Sequence, residues 1–378
     1  MKMNAIKQME DYSRYHPGVI SLSQGIPSSY SDERIRREVI AAINNNVVDN
    51  YSDPQGMKKL REEIASSLSV DDLQYTSDEI LVTTGATEGI MATLLQFLSP
   101  GRDEVILPTP TYAAYFKMIE VAGGKVIPVQ LNEEKDWELD VSLLEKNLTK
   151  NTAVILLCNP NNPTGSVYPK EILQKICVFA KENNLIVILD EVYKNMIFDE
   201  NSFYSPAIEE EFEKTIISVV SFSKDFSLTG WRVAFLQSHQ EIIQKILPVH
   251  DAISNCAPVV SQYAALAALK YKESIINEHK TIYKKQRDLM KKYLDKLSDY
   301  FTYTLPQGSY FVFPRFIKEQ NAEKFCLDLL REGEVALVPG NDFGPGGENH
   351  IRICFGRKEN DIREGMERLT KYITDTLI

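Results

Sequence analysis

The chain has 378 residues, of which 43% are hydrophobic, so it can bury a sizeable core and is long enough for two domains or one large α/β unit. Its formal net charge is -11 and its lysines and arginines are scattered, which disfavours binding to nucleic acid or to an anionic membrane surface. The five cysteines form no Cys-x-x-Cys pair, and no apolar stretch approaches the roughly 18 residues of a membrane span. The first ten residues lack the apolar core of a signal sequence. We therefore expect a cytoplasmic protein with reduced thiols and no metal site.

The N-terminal part of the chain predicts turns and amphipathic helices. Gly25, followed by Ile26 and a proline, indicates a turn, and a helix is expected near residues 32–44. A second turn, beginning at Asn50, leads into a helix whose apolar residues share one face. Tyr51 precedes that helix, and on sequence alone it is a half-buried aromatic residue.

Residues 79–90 predict a strand, a glycine turn and a helix. A glycine turn that opens a helix presents free backbone N–H groups and the positive end of the helix dipole, which together bind phosphate. Gly85, Ala86 and Thr87 are therefore candidate phosphate ligands, although Thr87 and Glu88 could simply cap the helix. Neither the P-loop motif nor the dinucleotide-binding glycine motif occurs, so those nucleotide sites lose their main support.

An aromatic residue ends the loop after the next strand. The strand is expected at residues 104–107, and the loop Pro108–Tyr112 is rigidified by its prolines. Tyr112 could stack on the ring of a ligand, or it could share the core face of one helix with Tyr115 and Phe116.

Two buried strands place polar groups at their ends. Thr152–Cys158 is a continuous apolar run, as in a parallel strand covered on both faces, and Asn159–Gly165 then forms a turn. Asp190 ends the next apolar run, where a carboxylate needs a cationic partner. The alternation of strands and helices over residues 78–235 predicts an α/β fold with a mostly parallel sheet sandwiched by helices and with sites at the carboxyl ends of its strands.

The segment Ser221–Arg232 carries the clearest chemical signal. Lys224 is expected on a loop between two apolar runs, and a partly desolvated lysine has a lowered pKa and can react with an aldehyde. Ser221, Ser223 and Arg232 offer donors suited to a phosphate dianion. The amine and the phosphate donors together predict pyridoxal 5'-phosphate as the cofactor, although Ser-x-Ser-Lys by itself would also fit an ordinary polar turn.

The C-terminal part of the chain has a different sequence pattern from the alternating strands and helices before it. A long helix at residues 273–297 is the expected hinge between domains, and Tyr303–Phe313 alternates like an antiparallel strand pair. The loop Pro339–Gly347, rich in Gly and Pro, is more typical of a mobile surface segment than of a phosphate site. Arg352 lies on a predicted strand between apolar neighbours, a position where a lone arginine is usually exposed.

Several motifs resemble those of the class I/II aminotransferases, whose fold is pyridoxal-phosphate fold type I. They are Asn-Pro-x-Asn-Pro-Thr-Gly at residues 159–165, Asp-x-x-Tyr at 190–193, Ser-x-Ser-Lys at 221–224 and Leu-Thr-Gly-Trp-Arg at 228–232. The motifs occur in the order of the family, and the resemblance covers nearly the whole chain. It implies a seven-stranded sheet in a large cofactor-binding domain of residues 46–274, and a smaller α+β domain of residues 1–45 and 275–378.

The resemblance also implies roles for the candidate residues. Lys224 would hold the cofactor's aldehyde and then move a proton, and Asp190 would contact the pyridine nitrogen. Asn162 and Tyr193 would bond the phenolic oxygen, and the guanidinium fork of Arg352 would bind the substrate carboxylate. Further implied contacts are those to the cofactor from Gly85, Ala86, Thr87, Tyr112, Ser221, Ser223 and Arg232, and those to the substrate from Gly25, Ile26 and Asn162.

The implied activity is the transfer of an amino group from an L-amino acid to a 2-oxo acid, in a homodimer where Tyr51 reaches the partner's cofactor phosphate. One acidic-substrate branch of the family has a lysine at the position of Thr87, so neutral or aromatic donors are expected over aspartate, as in the methionine, aromatic and kynurenine branch. Thr87 could instead only cap its helix. Two other functions stay open: a carbon–sulfur β-lyase on the same scaffold, and a non-catalytic amino-acid sensor.

Overall fold

The computed structural model describes residues 5–27 and 29–376. Its strands are β1 (Ile20–Ser21), β2 (Ile80–Thr83), β3 (Glu104–Thr109), β4 (Lys125–Gln130), β5 (Thr152–Cys158), β6 (Ile186–Asp190), β7 (Ile216–Ser221), β8 (Ala234–Gln237), β9 (Phe301–Thr302), β10 (Phe311–Val312), β11 (Arg315–Phe316), β12 (Val335–Ala336), β13 (Val338–Pro339) and β14 (Ile351–Cys354). Its α-helices are α1 (Ala5–Tyr15), α2 (Glu33–Asn44), α3 (Lys58–Ser69), α4 (Ala86–Phe97), α5 (Ala114–Val121), α6 (Ser142–Asn147), α7 (Lys170–Glu182), α8 (Phe222–Asp225), α9 (Gln240–Ser254), α10 (Val259–Lys270), α11 (Lys272–Leu294), α12 (Ala322–Glu332) and α13 (Glu359–Thr376).

The central sheet has seven strands in the order β2-β8-β7-β6-β5-β3-β4. Strands β7, β6, β5, β3 and β4 are parallel to one another, whereas β8 is antiparallel to both β2 and β7. The predicted α/β fold with a mostly parallel seven-stranded sheet is confirmed. Because β5, β6 and β7 run in the same direction, their carboxyl ends lie at one edge, where sites of α/β proteins form.

Strand β5 shows how the apolar sequence creates two layers of helices. All of its residues are buried, and alternate side chains face opposite sides of the sheet. Val154 and Leu156 belong to the apolar cluster formed with α4, α5 and α9. Ile155 and Leu157 belong to the cluster on the other face, formed with α7. A strand covered on both faces therefore needs a continuous apolar run.

The two ends of the chain meet in a separate apolar cluster. Strand β1 pairs in parallel with β12, and β14 lies between β10 and β13. The cluster joins Met9 and Leu22 to residues of α11, α12 and α13. Helix α2, in contrast, packs its buried Ile35 and Val39 with residues of β2 and α10, so residues 33–44 lie beside the central sheet. The domain bounds at residues 45 and 275 stay a prediction.

The antiparallel strand pair expected over Tyr303–Phe313 is not formed, so that prediction is wrong. Within this segment only β10 is a strand, and it pairs with β14. The N–H groups of Gln307 and Gly308 both bond the carbonyl oxygen of Gly165 at 2.9 Å. The segment therefore satisfies its backbone donors by packing against the Asn-Pro loop instead of against itself.

The expectation of a surface segment at Pro339–Gly347 also needs correction. Phe343 is fully buried and its ring lies 5.7 Å from that of Phe313. The carbonyl oxygen of Phe343 accepts a 2.9 Å hydrogen bond from the N–H of Thr111. The loop is thus part of the packed wall next to the carboxyl edge of the sheet. Among the helices of the described residues, none is both long and apolar enough to span a membrane.

Candidate active site

A cavity of about 440 Å³ opens at the carboxyl edge of the sheet. It gathers nearly all of the residues that the sequence predicts for cofactor and substrate, although they are distributed over more than 300 positions of the chain. The predicted residues that line it are Gly25, Ile26, Ala86, Thr87, Tyr112, Asn162, Asp190, Tyr193, Ser221, Ser223, Lys224, Arg232 and Arg352. Gly85 and Tyr51 do not line it.

Lys224 lies in the short helix α8, not on a loop as expected. Its Nζ donates a 2.7 Å hydrogen bond to the carbonyl oxygen of Gly25. Burial lowers the pKa of Lys224 to about 8, because removal from water disfavours the ammonium. A Cβ at residue 25 would lie 2.7 Å from Cζ of Phe311, so only glycine allows this close approach. The geometry supplies an amine that is readily deprotonated and that points at the substrate segment.

Asp190 is a buried carboxylate with hydrogen bonds but no cation against it. Its Oδ2 accepts a 2.5 Å hydrogen bond from the hydroxyl of Tyr115, and its Oδ1 accepts one from the N–H of Val192 at 3.2 Å. Burial raises the pKa of Asp190 to about 6, against the lowering effect of the Tyr115 hydrogen bond. It forms no salt bridge with any residue that the structure describes. The carboxylate is thus suited to a cationic group entering the cavity.

Arg352 is 3% exposed, contrary to the exposure usual for a lone strand arginine. Its Nη1 donates to Oδ1 of Asn162 at 3.1 Å and its Nη2 donates to the carbonyl oxygen of Ser23. Its Nε has no hydrogen-bond acceptor in the described part of the chain. The guanidinium carbon lies 4.4 Å from the ring centre of Phe311 and 4.9 Å from that of Phe343. A desolvated guanidinium that lacks a carboxylate among the described residues is suited to bind an anion.

The start of α4 forms part of the cavity wall. Gly85 is its N-cap, with a φ of 83°, and no side chain caps it. A Cβ on Gly85 would collide with the guanidinium of Arg232. The carboxylate of Glu88 accepts from the N–H of Thr84 at 3.0 Å, so it serves a donor that precedes the helix. The N–H groups of the first helical turn therefore remain suited to a phosphate.

Comparison with known proteins identifies the family. The sequence profile described as aminotransferase class I and II matches residues 17–369. The chain is 34% identical to an aspartate aminotransferase of Pyrococcus abyssi, over 98% of this chain and 95% of that enzyme. It is 32% identical to aromatic-amino-acid aminotransferase 2 of Thermococcus litoralis, over 98% of this chain and 95% of that enzyme. The chain belongs to the class I and II aminotransferases. The crystal structure of a Thermotoga maritima aspartate aminotransferase matches this aminotransferase with a TM-score of 0.92 and 28% identity, over 99% of this chain and 98% of that one.

The aminotransferase is therefore an enzyme that depends on pyridoxal 5'-phosphate, and its cavity fits that cofactor. Lys224 offers an amine, Asp190 a carboxylate without a cation, and α4 an uncapped first turn. These groups match the aldehyde, the ring nitrogen and the phosphate. When bound, the cofactor acts as an electron sink for the carbanion that forms at the substrate α-carbon. The names of the relatives favour transamination over the β-lyase and sensor alternatives.

Sequence reasoning missed three side chains that fix the lysine turn of this aminotransferase. Asp225, next to Lys224, is buried, and its Oδ2 accepts a 2.7 Å hydrogen bond from Nδ2 of Asn195. Asn195 lies two residues after Tyr193, so this bond joins the turn that carries the lysine to the loop that carries the tyrosine. His279 of α11 donates from Nδ1 to the carbonyl oxygen of Asp225 at 2.8 Å, since a carbonyl can only accept. A polar residue beside the lysine was the available signal, but its partner is 30 positions away.

Proposed function

We propose that this aminotransferase moves the amino group of a neutral or aromatic L-amino acid to a 2-oxo acid, and that it works in the cytoplasm as a homodimer. The cations that line the cavity support the donor preference. Among the described residues they are Lys224, Arg232 and Arg352. Each of them is assigned to another contact: Lys224 to the aldehyde of the cofactor, Arg232 to its phosphate and Arg352 to the substrate α-carboxylate. No cation lining this cavity is left for the second carboxylate of aspartate.

The position of Thr87 is the observation that carries the donor proposal. Thr87 lines the cavity at the start of α4, where one acidic-substrate branch of the family has a lysine. Ile26, Ile90 and Met118 provide apolar wall around the same space. A side-chain carboxylate buried there without a cation would cost several kcal/mol, whereas an apolar side chain would gain from burial.

We assign the roles of the reacting groups as follows. The amine of Lys224 would hold the cofactor's aldehyde and, when free, would take up and return the proton of the substrate α-carbon. Asp190 keeps the ring nitrogen protonated, and Tyr115 orients its carboxylate. Arg352 holds the α-carboxylate in a bidentate pair, which fixes the α-carbon next to the amine of Lys224.

Asn162 and Tyr193 are assigned to the phenolic oxygen of the cofactor, Tyr112 to its ring, and Gly25 and Ile26 to the substrate side of the cavity. The proton-transfer role of Lys224 is supported by burial, which lowers the pKa of its amine. Proton transfer is most efficient when the pKa of the transferring group lies near the working pH.

The homodimer is proposed because Tyr51 lies outside this chain's own cavity. Its side chain is 83% exposed, and the nearby Val47 and Ile43 are also exposed apolar residues. A second copy of the chain would cover them and bring Tyr51 to the phosphate end of the partner's cavity.

The donor preference is tested by kcat/KM for methionine, phenylalanine, kynurenine and aspartate with a common 2-oxo acid. The proposal expects the neutral donors to exceed aspartate, and it expects Thr87→Lys to raise the value for aspartate relative to methionine. A clear preference of the unmodified enzyme for aspartate would contradict it. Thr93→Lys is not a usable control, because Thr93 is buried in α4. Thr281→Lys, on an exposed position of α11, is the matched control.

A further inference from the structure

A second cavity, of about 430 Å³, adjoins the catalytic cavity. The two share Ile26 and Thr229 as lining residues, so the cavities meet at these side chains. We call the second cavity the rim cavity. Its other lining residues include Pro27, Tyr30, Trp231, Arg357, Lys358 and Asp361.

Arg357 is a cation of the rim cavity. Its Nε is buried and has no hydrogen-bond acceptor among residues 5–27 and 29–376. Among the residues that the structure describes, neither Arg357 nor Lys358 forms a salt bridge, and Asp361, which lines the same cavity, pairs with neither. Unsatisfied buried donors are rare in folded proteins, so this unpaired guanidinium is a candidate to bind an anion through its remaining N–H groups.

Arg357 follows strand β14, which carries Arg352 of the catalytic cavity. Burial raises the pKa of the Cys354 thiol, and the charges of Arg352, Arg357 and Lys224 all lower it. Arg357 itself lines the rim cavity and not the catalytic cavity.

We propose that Arg357 binds the distal carboxylate of a dicarboxylic 2-oxo acid acceptor with five or more carbons, and of the amino acid formed from it. The inference rests on the proposed function and extends it to the second substrate. A neutral donor stays within the apolar catalytic cavity, whereas a longer dicarboxylate extends past Ile26 and Thr229 into the rim cavity. There the guanidinium fork of Arg357 can pair with its distal carboxylate. A four-carbon dicarboxylate has a shorter reach and gains less from this cation.

The test compares acceptors in the holoenzyme, with methionine or phenylalanine as donor. In Arg357→Gln, kcat/KM for 2-oxoglutarate and 2-oxoadipate should fall by about tenfold to a hundredfold, mainly through KM, because a partner of a charge pair is removed. In the same variant, kcat/KM for 2-oxohexanoate should change less than about threefold. This acceptor has no distal carboxylate, so its binding does not involve Arg357. Arg363→Gln is the matched control, because Arg363 is exposed on α13 and pairs with Glu359.

A second readout does not depend on turnover. Glutarate, an unreactive dicarboxylate, should bind the holoenzyme in calorimetry, more weakly in Arg357→Gln and unchanged in Arg363→Gln. Equal losses for 2-oxoglutarate and 2-oxohexanoate, or no loss for either, would overturn the inference. Failure of the unmodified enzyme to use any of these acceptors, 2-oxohexanoate included, would instead contradict the proposed function. Glutarate binding would still decide the role of Arg357.

Discussion

The hydroxyl of Tyr115 and the carboxylate of Asp190 are joined by a 2.5 Å hydrogen bond at the bottom of the catalytic cavity. Tyr115 is the second residue of α5, and Asp190 is the last residue of β6. The bond therefore orients the carboxylate from a neighbouring element of the fold. It also stabilises the ionised form, because it lowers a pKa that burial raises to about 6.

Tyr115→Phe should weaken the function of Asp190 without emptying the cavity. Loss of a hydrogen bond to a charged group costs about 1.5–3 kcal/mol, so we expect kcat to fall by about tenfold to a hundredfold. The pKa of Asp190 should rise further, which would move the acid limb of the pH–rate profile to higher pH. Tyr293→Phe is the control, since that hydroxyl binds Glu367 at the surface. An unchanged kcat and acid limb would show that the bond is not needed.

Asp190→Asn should retain the cofactor but slow proton abstraction from the substrate by orders of magnitude. The change removes the charge that keeps the ring nitrogen protonated at nearly constant side-chain volume. Single-turnover absorbance of the bound cofactor measures the rate, and equilibrium dialysis measures retention. Glu191→Gln, the neighbouring buried carboxyl that bonds Ser205 and does not line the cavity, should lose far less of the rate. Near-normal rates in Asp190→Asn would refute the assigned role.

Asp225 should make the stability of the enzyme depend on pH. Burial raises its folded pKa from an ordinary value of 3.8 to about 6, against the lowering effect of the Asn195 hydrogen bond. The folded state then holds this proton more tightly than the unfolded state. Its contribution to the free energy of unfolding is complete below about pH 4 and is lost as the pH rises through about 6, by about 3 kcal/mol at most.

The check is the difference in Tm between Asp225→Asn and the unmodified holoenzyme. We expect this difference to become more favourable to the variant between pH 4.5 and pH 8, because the variant buries no charge at either pH. Asp251→Asn, on an exposed position of α9, should show no such change. A difference in Tm that is the same at both pH values would show that Asp225 does not titrate in this range.

The assignment of Tyr51 to the partner subunit predicts complementation between two inactive variants. Mixed dimers of Tyr51→Ala and Lys224→Ala contain one cavity with an intact lysine from the first subunit and an intact tyrosine from the second. If Tyr51 acts across the interface, that cavity should regain the cofactor affinity and activity that the Tyr51→Ala homodimer lacks. No recovery in mixtures shown by sedimentation to be heterodimers, or full activity of a monomer, would contradict the proposal.

The sequence determined much of the fold because its signals were local. The apolar run Thr152–Cys158 is β5 with the same bounds, and the helix expected near residues 32–44 is α2. The strand pair expected at Tyr303–Phe313 failed because its backbone donors bind Gly165 and Met196, whose positions are fixed by the tertiary fold. The alternation of apolar and polar residues does not show whether the backbone of this segment pairs with itself or with Gly165 and Met196.

The candidate site was predictable where a motif carries it and not where a tertiary contact does. Lys224 lies in the motif Ser-x-Ser-Lys, and Asn162 lies in the motif Asn-Pro-x-Asn-Pro-Thr-Gly. Arg352 could be singled out only through the family resemblance, because its burial between two phenylalanine rings is set by the fold. Tyr115 could not be distinguished from a core residue, since its carboxylate partner is 75 positions away. Asn195 could not be singled out either, since its partner Asp225 is 30 positions away.

The most direct test of the account is borohydride reduction of the holoenzyme followed by peptide mass analysis. If Lys224 holds the cofactor, reduction should fix pyridoxyl mass onto the peptide that contains Lys224. Lys224→Ala should lose both the label and turnover, whereas Lys270→Ala, which removes a surface lysine paired with Glu38, should keep both. Label on another lysine of the unmodified enzyme would contradict the assignment of the active site.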